Sequence, residues 1–128
     1  METNVALAAL SGLAHETRLE IFRVLVEAGP DGMPAGQICE RLGLPPATLS
    51  FHLNHLRHAG LIARRRNGRS LIYSADYGAM NALVAYLTEN CCQGDPKACG
   101  LPAADAIRSN RKLRGGRADE APARERRR

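Results

Sequence analysis

Residues 35–74 read AGQICERLGLPPATLSFHLNHLRHAGLIARRRNGRSLIYS, and the change of period within this stretch decides the fold. The first part, 35–42, has helical spacing and ends at Gly43, a residue suited to a left-handed C-cap. Leu44, Pro45 and Pro46 form a break. A second helix over 47–58 then buries Leu49, Leu53 and Leu56, spaced four and three apart. Its remaining positions carry Thr48, Ser50, His52, Asn54, His55 and Arg57. Two short helices joined by a tight turn, the second rich in hydrogen-bonding side chains, make a helix-turn-helix. After Gly60 the period falls to two. Two short strands flank Asn67 and Gly68, a pair that accepts the positive φ values of a type I′ hairpin turn. A hairpin directly behind a helix-turn-helix is a wing.

Outward from this unit, Leu7, Leu10 and Leu13 mark a helix over 5–13. Leu19, Ile21, Phe22, Leu25 and Val26 mark a broad buried stripe on a helix over 16–28, which Gly29 and Pro30 stop. A last helix over 77–89 has Met80, Leu83, Val84 and Leu87 on one side. The predicted fold is α+β and mainly α: a winged helix-turn-helix with about five helices and a two-stranded wing. It occupies one domain over 1–102. The segment 103–128 has only isolated apolar residues, too few to offset chain entropy, and is expected to be a disordered basic tail.

Charge sorts along the chain. Residues 1–102 carry nine basic and nine acidic side chains, so the whole net charge of +5 lies in 103–128. Within the balanced part, 41–75 holds six arginines and no carboxylate. A one-signed stretch in a neutral domain points to phosphate as partner. No apolar run approaches the ~20 residues of a membrane span. The N-terminal stretch lacks the basic leader of a secretory signal, so a cytoplasmic location with reduced thiols is expected. A glycine-rich phosphate loop is absent, as is any His–Asp pair beside a cysteine, so an enzyme is not expected.

Thr48, Ser50, His52 and Asn54 suit base edges or phosphates in a major groove, and His55 and Arg57 flank them. Phe51 admits two readings: contact with a thymine methyl, or packing inward. Arg64, Arg65, Arg66 and Arg69 around the hairpin tip suit the flanking backbone or minor groove. His52, His55 and His58 have spacing that a metal would accept. No carboxylate or thiol lies near them in sequence, so a metal role is outweighed there.

With LAHETRLEI from Leu13 onward and ATLSFHLNHLRHAGLI from Ala47, the chain resembles the ArsR/SmtB family of metal-responsive winged-helix repressors, over about residues 5–99. The resemblance implies a homodimer paired through its first and last helices, which sets two recognition helices on a palindromic operator in double-stranded DNA. It assigns base contact to Thr48, Ser50, Phe51 and His52, and backbone contact to the hairpin arginines.

The family uses several inducer sites. One type of arsenic sensor has paired cysteines on the helix before the recognition helix. Here only Cys39 stands there, beside Ile38, and it reads as a small core residue. Zinc and cobalt sensors carry Asp and His on the last helix, where this chain has Asp76 and no histidine. What remains is NCCQGDPKAC from Asn90, in which Cys91, Cys92 and Cys99 can converge around a loop containing Gly94 and Pro96. Three thiolates without a nearby histidine suit trivalent arsenic, with antimony(III) or a trivalent methylated arsenical as related inducers; zinc would want a fourth ligand. No prosthetic group is expected. The alternative is a repressor of the same fold that responds to thiol oxidation or to a divalent metal such as zinc or cadmium.

Overall fold

The computed structural model describes residues 1–94; Cys99 and the basic tail lie outside them. Five helices and a small sheet follow in the order α1 (Thr3–Leu13), α2 (Glu16–Ala28), β1 (Met33–Pro34), α3 (Ala35–Leu42), α4 (Pro46–His58), β2 (Ile62–Asn67), β3 (Ser70–Ala75) and α5 (Tyr77–Leu87). A short turn of 3₁₀ type, Cys91–Gly94, follows.

The core is a wedge of aliphatic side chains between α2, α3, α4 and the sheet. Ile21, Leu25, Ile38, Leu49, Leu53, Leu56 and Leu61 are the large side chains most completely buried. Each contributes on the order of 1.5–3 kcal/mol by taking its apolar surface out of water. Ala6 and Ala9 of α1 and Leu83 of α5 close the wedge from outside.

The inner face of α1 is made of Ala6, Ala9 and Gly12, and the leucines Leu7 and Leu10 face outward. Small residues are needed there because α1 meets the end of α4 closely. A Cβ added to Gly12 would stand 2.9 Å from the Cβ of Ala59. The stripe of α2 is also narrower than its periodicity implies. Leu19 is exposed and Arg18 is buried, with the Arg18 Nε–H donating to the Gly12 carbonyl at 2.8 Å. That bond satisfies one of the carbonyls left open at the end of α1.

The wing differs from expectation in two respects. It is three-stranded, in the order β1-β3-β2, all antiparallel, with Met33 opposite Tyr73 and Pro34 opposite Ile72. A two-residue strand has no period to read, and Pro34 can sit only at a sheet edge because it has no N–H. Gly32 (φ 80°) leads into β1, where any Cβ would collide with the Tyr73 carbonyl oxygen. The hairpin turn itself is shifted by one residue. Asn67 pairs with Ser70, so the two-residue loop is Gly68 and Arg69, and only Gly68 has a positive φ, 64°. One glycine at the first central position is the type II′ pattern, not the I′ pattern expected from Asn67-Gly68.

α5 begins at an Asp76 N-cap whose Oδ1 accepts from the Ala79 N–H at 2.9 Å. It ends at Leu87, two residues before its expected end. Thr88 caps it, donating its hydroxyl to the Val84 carbonyl at 2.9 Å. Among the described residues, no helix is long and apolar enough to cross a membrane.

Candidate nucleic-acid interface and thiol turn

The turn between α3 and α4 is built as its residues require. Gly43 takes the left-handed conformation (φ 66°, ψ 35°), and the N–H groups of Gly43 and Leu44 both donate to the Cys39 carbonyl. Pro45 stands extended at the N-cap of α4, and Pro46 opens the helix, where no N–H is missed. Leu49, Leu53 and Leu56 anchor α4 to the core. The opposite side is left to solvent, so Thr48, Ser50, Phe51 and Asn54 are exposed and His55 and Arg57 are half-buried. The Arg57 Nη1–H donates to the Asn54 Oδ1 at 3.0 Å, which orients the amide with its NH2 group turned away.

His52 departs from the expected polar face. It is 8% exposed, its ring lies 4.8 Å from that of His15, and Phe51 meets it edge-on at 5.3 Å. At ~100° per residue His52 flanks the leucine stripe, and this position turns it under the first turn of α2. His52 is therefore buried behind α4 and not on the exposed face where base contact was expected. His15 was not singled out from the sequence. Its Nδ1 accepts from the Thr17 N–H at 3.1 Å, which makes it the N-cap of α2. The readable signal was its place immediately before Glu16 and Thr17, where the helix starts. The Nδ1 of His52 is buried and has no hydrogen-bond partner among the described residues. Burial lowers the pKa of His52 first, and the nearby His15, Arg18 and His55 lower it further. Each of these effects favours the neutral imidazole.

Arg64, Arg65, Arg66 and Arg69 are all exposed on the wing. Among the described residues no carboxylate pairs with them. Arg41 is different: its guanidinium lies 3.5 Å from Glu27 on α2, so it belongs less to the positive face than its sequence neighbours do.

The cysteines separate into two settings. Cys39 is half-buried and packs against the core from α3, as a core residue does. Cys91 and Cys92 stand beyond α5 in the Cys91–Gly94 turn, not on the helix. Asn90, Cys92 and Gln93 all adopt left-handed φ, between 52° and 59°. Cys91 is half-buried and Cys92 exposed, and the Cys91 S–H points to the Cys92 Sγ at 3.8 Å. Among the described residues no three ligating side chains converge on one point.

An exposed helix presented by a helix-turn-helix, beside an arginine-lined wing, defines a DNA-binding regulator of the winged-helix class. Residues 13–65 match the helix-turn-helix domain family. The chain is 34% identical over 87 residues to the HTH-type transcriptional regulator YgaV of Escherichia coli, covering 68% of this chain and 86% of that protein. The structure of HlyU from Vibrio cholerae superposes with a TM-score of 0.57 at 30% identity, covering 73% of this chain and all of that one. The putative arsenical resistance operon repressor ArsR of Halobacterium salinarum is 34% identical over 76 residues, 59% of this chain and 58% of that protein. The chain belongs to the ArsR family of winged helix-turn-helix transcription regulators, whose members here are regulators and not enzymes.

Proposed function

We propose that this chain is a homodimeric repressor that binds a palindromic operator through α4 and the wing. It leaves the DNA when trivalent arsenic, or antimony, is bound by Cys91, Cys92 and Cys99. The observation that carries the inducer is the pair of sulfurs 3.8 Å apart at the end of α5. Two thiolates this close can be bridged by one soft ion, and a third from Cys99 would complete the three-sulfur pyramid that arsenic(III) takes. The likeness to a protein named as an arsenical resistance repressor supports the same reading. Cys99, the third ligand in this proposal, lies outside the described residues.

Dimerisation is supported by apolar side chains that the single chain leaves in water: Val5, Leu7 and Leu10 on α1, and Val84 and Leu87 on α5. The two helices are tied by a 2.8 Å hydrogen bond between the hydroxyls of Thr3 and Tyr86. Binding at the thiol turn therefore acts on the end of a dimerisation helix. It shifts the spacing of the two recognition helices and lowers DNA affinity. By linkage, DNA lowers inducer affinity by the same factor, typically ~5- to 150-fold.

A second reading uses the same turn as a thiol redox sensor. It is favoured by the contact between the two sulfurs and by the likeness to HlyU, one of whose structures is described as the reduced protein. Titration of the DNA-bound dimer, followed by fluorescence anisotropy, separates the readings. The expected result is release by arsenite, loss of that response in Cys91→Ser and Cys92→Ser, and a weakened response in Cys99→Ser. Release by zinc or oxidant without release by arsenite overturns the metalloid reading.

A further inference from the structure

Phe51 is the most exposed of the large apolar side chains, at 65%, and it stands apart from the α1–α5 face that the proposed dimer covers. With ~100° per residue it projects from α4 nearly opposite Leu49, Leu53 and Leu56. Its ring meets the buried His52 ring edge-on, with centroids 5.3 Å apart. Around it, Asn54, His55 and His58 line the same shallow hollow. An aromatic ring displayed at the centre of a polar, carboxylate-free helix face offers no hydrogen bond. In a major groove, the apolar group available to it on a standard base pair is the C5-methyl of thymine.

We propose that Phe51 is a specificity-determining residue of this regulator that reads a thymine C5-methyl at one position in each operator half-site. This rests on the DNA-binding reading above and adds to it the chemical group that one side chain selects. Thr48, Ser50 and Asn54 supply the hydrogen bonds of the same face. Phe51 supplies the apolar contact. The positive wing brings DNA to this face, which argues for a nucleic acid over an apolar protein partner.

The test uses the full chain and duplexes selected by it from a randomised pool. Each thymine of a selected duplex is replaced in turn by deoxyuridine, which removes only the methyl, and the pair of duplexes competes for the protein. The expected result is a loss of about fourfold per substituted half-site at one symmetric position, the factor implied by leaving one methyl-sized group unburied. In Phe51→Ala the same competition should show no preference, with an unchanged circular dichroism spectrum because the side chain is outside the core. Selective binding with a flat deoxyuridine scan overturns the proposal and leaves the DNA-binding reading intact. So does a thymine preference that survives in Phe51→Ala. If no duplex is selected above the random pool, the DNA-binding reading itself fails, and this one with it.

Discussion

Between Ser50 and Asn54, both exposed on α4, the chain places a histidine whose ring turns away from the solvent to meet His15. At His52 the ordinary preference of a recognition helix for polar side chains outward is overridden by geometry, because the position flanks the leucine stripe. The consequence is a pH dependence with a definite sign. The folded-state pKa is depressed, so the unfolded chain binds more protons than the folded one between the two values. The stability due to a neutral His52 is fully present above the unfolded value of about 6.5, and it is lost as pH falls through the lower folded value. Urea unfolding midpoints measured from pH 7.5 down to pH 5 should fall more steeply for the native chain than for His52→Leu. Parallel curves for the two proteins would show that His52 does not carry this linkage.

Packing between elements depends on residues with almost no side chain. The contact of α1 with the end of α4 is set by Gly12 and Ala59, and Arg18 spans from α2 to close the end of α1. Gly12→Ala adds helix propensity but forces a methyl to 2.9 Å from the Ala59 Cβ, which neither backbone can relieve by rotating a side chain. Overpacking of this kind costs ~1–3 kcal/mol, more than the ~0.5–1 kcal/mol gained from replacing a helical glycine. Gly12→Ala should therefore be destabilised by about 1 kcal/mol in chemical denaturation. Adding Ala59→Gly should recover much of the packing loss, giving a coupling that a double-mutant cycle reads directly. Additive effects would mean that the two positions do not press on each other.

Over the whole molecule, a chain with its core wedge filled still leaves Leu7 (61%) and Leu87 (59%) mostly in water. Two helices facing outward with apolar residues are a surface that a second copy can cover, and the spacing of two recognition helices depends on that cover. Leu7→Glu combined with Leu87→Glu should leave the fold intact by circular dichroism while shifting sedimentation from dimer to monomer. Affinity for a two-half-site operator should drop to that of a single half-site. A double variant that still sediments as a dimer would place the interface elsewhere.

The helix-turn-helix and the wing were legible because their signals are local. Gly43, the proline pair, the 49–53–56 stripe and the Asn67-Gly68 break between the strands each depend on residues near in sequence. The positive stretch and the vicinal cysteines could also be read there, since composition does not depend on folding. Which face of α1 turns inward, and which flanking side chains of α2 and α4 are covered, was decided by contacts between distant segments. Close packing of α1, with Gly12 against Ala59, put Ala6, Ala9 and Gly12 inside in place of Leu7 and Leu10, and the first turn of α2 drew His52 under the helix. β3 recruited Met33 and Pro34 as a third strand that has no period of its own. Local periodicity determines that a segment is a helix or a strand; the distance to its neighbours determines which side chains that element can bury.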